Sequence, residues 1–256
     1  MLKRFFQEFE NFVFDLDGTT WRWTELSEDF YRVYQALVRE GKNIYFISDN
    51  TLLTREGLLK KLHNFGIEAK LENLVTPSLI AKDVLLGKRV FCIGEGLITD
   101  LRKHGIKVSS SKPDAVVVGM DRTLTYEKLC KAVEFVVEGT GLFKTSKSPV
   151  FINGRKLYPG VGAIAKLLEM VCNKKAELLG APSKFMINFI STELNLDPKK
   201  TVLFGDECDT DMALGNMLGF TTVLVISRKE KEIEYLKARG INEPKIVIKS
   251  LKQILR

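Results

Sequence analysis

Short apolar runs alternate with amphipathic stretches along this chain, and that alternation restricts its fold more than any other feature. Asn11-Phe12-Val13-Phe14-Asp15 is apolar at three successive positions, as expected of a strand buried on both faces of a parallel sheet. Ser27 follows as an N-cap. Apolar residues at Phe30, Val33, Tyr34, Leu37 and Val38 then form one helical face, and Gly41 supplies the stop. The pattern repeats with a strand at Asn43–Ser48 and a helix opened by Thr54, carrying Leu58, Leu59, Leu62 and Phe65 and ended by Gly66. Further strands are expected at Arg89–Gly94, Ala115–Gly119, Ala176–Gly180, Thr201–Gly205, Thr222–Ile226 and Lys245–Ile248. Between them lie a helix running to Lys103 and one opened by Thr125, with Tyr126, Leu129, Cys130, Val133 and Val137 as its apolar positions. Strands spaced by helices are βαβ units with right-handed crossovers, so the fold class is α/β. Chain order alone leaves open whether every unit joins one sheet.

Composition narrows the function classes. With 45% hydrophobic residues in 256, the chain buries a large core, which excludes disorder. No uncharged apolar run reaches the length of a membrane helix, and the start Met1-Leu2-Lys3-Arg4-Phe5-Phe6-Gln7-Glu8 meets acid too early for a signal peptide. Cys92, Cys130, Cys172 and Cys208 stand singly, which suits a reducing cytoplasm. His63 and His104 are the only imidazoles, so histidine-based catalysis is not expected. The formal charge of +7 invites a nucleic-acid partner. Its excess, however, is concentrated from Arg228 to Arg256, where signs interleave (Arg228-Lys229-Glu230-Lys231-Glu232) as on a solvated, salt-bridged surface. Neither a nucleic acid nor a membrane is expected as partner.

Three of the strands run into concentrated polar chemistry. The first ends in Asp15-Leu16-Asp17-Gly18-Thr19-Thr20, the second in Ser48-Asp49-Asn50, and the strand at 201–205 in Gly205-Asp206-Glu207-Cys208-Asp209-Thr210-Asp211. Ligands of open parallel sheets bind beyond the carboxyl ends of the strands, so these clusters should converge. Carboxylates gathered there raise one another's pKa unless a cation neutralises them. Oxygen donors without histidine or paired thiolates favour a hard metal, magnesium first. Asp15 is a candidate both as ligand and as nucleophile, because a carboxylate can attack phosphorus and split one displacement into two. Asp17 could protonate the leaving oxygen and then activate water. Gly18 allows the tight turn whose amides cradle phosphate. Alone, D-x-D-G also occurs in turns and calcium loops. Its placement after a buried strand carries the reading.

These residues resemble the haloacid dehalogenase (HAD) superfamily, and within it the branch of nitrophenyl phosphatases and NagD-type nucleotidases. Phe14-Asp15-Leu16-Asp17-Gly18-Thr19-Thr20-Trp21 is similar to that branch's first motif, Phe46-Ile47-Ser48-Asp49-Asn50-Thr51 to its second, and Gly205–Asp211 to its fourth. Asp114–Asp121 and Tyr158-Pro159-Gly160-Val161-Gly162-Ala163 resemble landmarks of its large α/β cap. The resemblance implies a Rossmannoid parallel-sheet core over 1–75 and 176–256, with an α/β cap inserted at 76–175. It implies Asp15 as nucleophile and Asp17 as general acid and base. Ser48, Asp49 and Asn50 would lie on the phosphate, and magnesium on Asp15, Asp206 and the Asp17 carbonyl, with Asp211 supporting. The implied activity is hydrolysis of a small phosphorylated metabolite through an aspartyl-phosphate, by a cytoplasmic protein for which a homodimer is admitted.

The departures are specific. Where the branch has a third-motif lysine, this chain reads Leu179-Gly180-Ala181-Pro182-Ser183-Lys184. Ala181 therefore removes a cation, which predicts slow turnover. Lys184, one turn further on, either reaches back to the phosphate or is an exposed first-turn lysine. Asp49 stands where asparagine is common, and Thr145-Ser146-Lys147-Ser148 replaces Thr-Asn-x-Asp. Lys144, Lys147 and Arg155 suggest a substrate with an acidic leaving portion. Trp21 and Trp23 serve packing between cap and core or stack on substrate, with packing expected. The rival reading is a HAD-fold binding or regulatory protein that lost turnover with Ala181.

Overall fold

The structure, a computed structural model, describes residues 1–153, 156–226 and 242–256. Arg155 and the Arg228–Glu232 run lie outside them. The chain forms two compact units, one from Met1–Ser48, Leu62–Val75 and Ile187–Arg256, the other from Asp49–Lys61 and Thr76–Met186. In chain order the strands of their parallel sheets are β1 (Asn11–Asp15), β2 (Asn43–Ile47), β3 (Leu74–Val75), β4 (Arg89–Ile93), β5 (Lys107–Val108), β6 (Ala115–Val118), β7 (Gly141–Lys144), β8 (Glu177–Leu178), β9 (Thr201–Gly205), β10 (Thr221–Val225) and β11 (Ile246–Ile248).

The first unit holds a six-stranded sheet in the order β11-β10-β9-β1-β2-β3, every pair parallel. β1 and β9 are buried along their whole length, as the apolar run of β1 requires. Phe12 and Phe14 stack on Phe204 across the β1–β9 pair, at ring separations of 6.2 and 4.8 Å. Phe14 also meets Phe30 edge-on at 5.1 Å, which docks the helix Glu28–Arg39. That helix starts where expected, with Ser27 Oγ accepting from Phe30 N at 3.3 Å. Its buried face is Phe30, Val33, Tyr34 and Leu37, joined by Ala36, whereas Val38 is exposed at the edge of the stripe.

The second unit holds a separate five-stranded parallel sheet, β8-β7-β6-β4-β5. The chain's βαβ units therefore build two sheets. β6 is buried throughout and shows why both faces must be covered. Val116 and Val118 pack with Ala132, Val136, Ile164 and Leu168 on one side, and Ala115 and Val117 with Ala81, Leu97 and Leu101 on the other. The helix Tyr126–Val137 is capped by Thr125 as its sequence indicates, but its buried positions are Ala132 and Val136; Tyr126 and Val137 face solvent. At Tyr158-Pro159-Gly160 a strand ends and a helix begins: Lys156–Pro159 pairs with Val150–Asn153, and Gly160 caps Val161–Cys172.

Lys144 does not offer the unit a free positive charge. Its ammonium lies 2.9 Å from Glu169 Oε1, with both side chains largely buried. Burial pushes the Glu169 carboxyl up, but Lys144 and the Ala176 amide outweigh it and bring the carboxyl below its ordinary value. Among the described residues, no helix is long and apolar enough to cross a membrane.

Candidate active site

At the carboxyl end of β1 the chain folds back on itself within seven residues. Thr20 Oγ1 donates to Asp15 O at 2.7 Å, and the amides of Thr20 and Trp21 both donate to Leu16 O at 3.0 Å. Gly18 N returns a bond to Trp21 O at 2.8 Å. Gly18 holds φ +110°, and a Cβ there would lie 2.5 Å from Asp206 Oδ2. Glycine is thus required twice, for the backbone conformation and for the approach of the loop to a carboxylate. Asp17 is exposed, and its Oδ1 accepts from Trp21 Nε1 at 2.8 Å.

At the end of the neighbouring strand β9, Gly205 leads into buried Asp206, and a π-helical turn over Cys208–Met212 brings Asp211 back beneath it. Asp211 Oδ2 accepts from the amides of both Asp206 and Glu207 at 3.0 Å. Asp211 therefore anchors the loop that carries Asp206. A Cβ on Gly205 would lie 2.2 Å from Asp211 Oδ2. Gly205→Ala is therefore expected to break this anchor and cost about 1–3 kcal/mol of stability. Calorimetry should show a lower melting temperature and loss of any stabilisation by divalent cations.

Asp15, Asp206 and Asp211 present carboxylate oxygens all within 4.8 Å of one another, and all three residues are buried. Asp15 Oδ2 is enclosed and makes no hydrogen bond among the described residues; Thr19 Oγ1 is in the same state. Burial first, and then the charges of Asp211, Asp206, Asp17 and Glu207, hold the Asp15 carboxyl well above its ordinary range. The donor set is all oxygen, and Asp15 Oδ2 makes no hydrogen bond among the described residues. It fits a hard divalent cation.

Of the second cluster, Ser48 belongs to the first unit. It is buried one residue past β2, whose Ile47 is in register with Asp15, and its amide donates to Val75 O at 3.1 Å. Asp49, Asn50 and Lys184 belong to the second unit. There Asp49 Oδ1 accepts from Ala181 N at 3.1 Å, and Asn50 Oδ1 accepts from Leu52 N at 3.0 Å in a local turn. Lys184 Nζ lies 3.1 Å from Glu177 Oε2 and 4.7 Å from the Phe185 ring centre, with its side chain 74% exposed. The structure thus gathers Asp15, Asp17, Ser48, Asp206 and Asp211 in one unit and gives Lys184 local partners in the other. Trp21 is buried inside the first unit, its ring 6.0 Å from Phe65, while Trp23 is exposed. Sequence reasoning missed the Trp21–Asp17 bond, although the spacing of four residues around a turn glycine was there to suggest it.

A family model described as haloacid dehalogenase-like hydrolase matches residues 12–107, and one described as HAD-hydrolase-like matches residues 178–254. The chain is 30% identical to a 4-nitrophenylphosphatase of Schizosaccharomyces pombe, covering 98% of this chain and 95% of that one. It is 29% identical to the sugar-phosphatase AraL of Bacillus subtilis, covering 95% and 91%. The fold is similar to the crystal structure of a 4-nitrophenylphosphatase from Thermotoga maritima, with a TM-score of 0.88 at 25% identity over 98% of this chain and 97% of that one.

Proposed function

Because this chain belongs to the haloacid dehalogenase-like hydrolases, we propose that it is a HAD-type phosphatase that hydrolyses small phosphate monoesters through an aspartyl-phosphate on Asp15, with magnesium bound by Asp15, Asp206 and the Asp17 carbonyl. The observation that carries this reading is the enclosed Oδ2 of Asp15, which makes no hydrogen bond among the described residues, on a residue clustered with Asp206 and Asp211. Three buried carboxylates without a cation oppose one another. Magnesium held there would supply the positive charge that such a cluster needs to accept a phosphate dianion.

Each residue of the first unit then has a task. Asp15 attacks phosphorus, forming an O–P bond as the ester O–P bond breaks. Asp17 gives its proton to the leaving oxygen and then takes one from the hydrolytic water. Ser48, past the adjacent strand, donates to a phosphate oxygen. Asp211 holds the 205–211 loop through two backbone amides. We read the first unit as the catalytic core and the second, which includes the segment 76–175, as the inserted cap. The isolated spacing of the four cysteines along the chain suits a reducing cytoplasm.

One observation favours a second reading. The third-motif position is Ala181, and the Lys184 ammonium is engaged by Glu177, so the family's usual lysine charge has no direct replacement in this segment. A slow enzyme and a catalytically impaired binding protein both follow from that. A panel of small phosphate esters, assayed with magnesium and with chelator, separates them. We expect at least one ester to turn over and chelation to reduce its hydrolysis at least about 100-fold. Independently of activity, magnesium at about a hundredfold excess over its Kd should stabilise the protein by about 2.7 kcal/mol. That shift should vanish in Asp206→Asn. A wild type inert to every ester, yet stabilised by magnesium, would favour the binding protein.

A further inference from the structure

Trp21 makes three bonds to the loop that carries the acid. Its amide donates to Leu16 O, its carbonyl accepts from Gly18 N, and its indole Nε1 donates to Asp17 Oδ1 at 2.8 Å. The indole is fully buried while Asp17 is exposed, so the donor is held in the protein interior and the carboxyl group it binds reaches the surface. An indole N–H can only donate, so the oxygen it binds must accept. In the acid form of Asp17 the better acceptor is the carbonyl oxygen, which leaves the proton on the other oxygen.

We propose that Trp21 is the positioning residue of the general acid: its indole fixes the Asp17 carboxyl group and assigns Oδ2 as the oxygen that carries the transferable proton. The inference rests on the phosphatase reading above for its role in turnover, but the orientation itself does not. In the first half-reaction Asp15 forms its bond to phosphorus, the ester O–P bond breaks with its electron pair moving to the leaving oxygen, and that oxygen takes the proton from Asp17 Oδ2. Asp17 is left as a carboxylate, still held by the indole, and ready to accept a proton from water. Without the indole, the donor that marks Oδ1 as the accepting oxygen is lost.

The test is a leaving-group series. Trp21→Phe keeps an aromatic ring in the buried site and removes the donor. 4-Nitrophenol leaves well without a proton, so kcat/KM for 4-nitrophenyl phosphate should fall by less than about threefold. Phenyl and alkyl phosphates need the acid, and their kcat/KM should fall about 10- to 100-fold, within the range that general acids contribute. A merely structural role would lower all of them alike, and a uniform loss, or none, overturns the proposal. A second readout does not depend on turnover or on Trp21→Phe. In the wild type the Trp21 indole proton should exchange slowly with solvent, and Asp17→Ala should move its NMR resonance and speed that exchange. An indole resonance indifferent to Asp17→Ala overturns the orientation itself. A wild type inactive on every ester while this coupling is present would instead defeat only the phosphatase reading.

Discussion

Asp15→Asn is expected to lower hydrolysis of an aryl phosphate by at least about 10⁴-fold, because an amide cannot serve as the nucleophile. The same change should raise the melting temperature of the metal-free protein. Burial, then the charges of Asp211, Asp206, Asp17 and Glu207, hold the Asp15 carboxyl well above its ordinary value. A raised carboxyl stabilises the fold while it is protonated, below its unfolded value of about 4, and that contribution is lost as pH rises through the raised one. The asparagine variant has no such loss. Its advantage should therefore be near zero in acid and grow toward neutral pH, as thermal unfolding in chelator across that range would record. Retained turnover would refute the nucleophile assignment. A variant less stable than wild type at neutral pH would refute the electrostatic account of the cluster.

Ala181→Lys should accelerate turnover about thirty- to a thousandfold, the equivalent of about 2–4 kcal/mol from one positioned cation. The structure adds a condition. Ala181 is buried in the second unit and its amide donates to the Asp49 carboxylate, so a lysine side chain there would start beside a carboxylate. Pairing with Asp49 would divert part of the charge, so the double variant with Asp49→Asn should exceed the single one. Lys184→Ala should change little, since that ammonium is engaged by Glu177. Steady-state kcat at saturating magnesium decides among these. Equal rates for all three variants and the wild type would mean that the charge comes from elsewhere in the chain. A large loss on Lys184→Ala would mean that this lysine had already taken the role.

What could be read from the residues follows the strength of their local physics. A strand buried on both faces needs a continuous apolar run, and β1, β2, β4, β6 and β9 all show one. The caps at Ser27, Thr54 and Thr125 were equally plain, because a side-chain oxygen ahead of an apolar periodicity has few other uses. The edges of helical stripes were not. Val38, Tyr126 and Val137 sit where a one-residue rotation moves a side chain from core to solvent. β3 and β5, two residues each, are too short to carry a period. The grouping of 49–61 and 176–186 with the second unit is a matter of long-range contacts, which no local pattern encodes. At the site, the carboxylates announced themselves by clustering at strand ends, whereas Gly205 and Trp21 act through contacts across a turn.

The pairing of Trp21 with Asp17 also gives the molecule a built-in optical reporter. The chain has two tryptophans, one buried beside the acid and one, Trp23, 44% exposed. Emission from Trp21 should lie to the blue of that from Trp23, and a Trp23→Phe protein would leave a single tryptophan whose indole N–H is tied to the Asp17 carboxyl. Arrival of a phosphate, of magnesium, or of a proton on Asp17 would alter the charge a few ångströms from that ring. Each event could then be followed in real time by intrinsic fluorescence, without a label and without waiting for product.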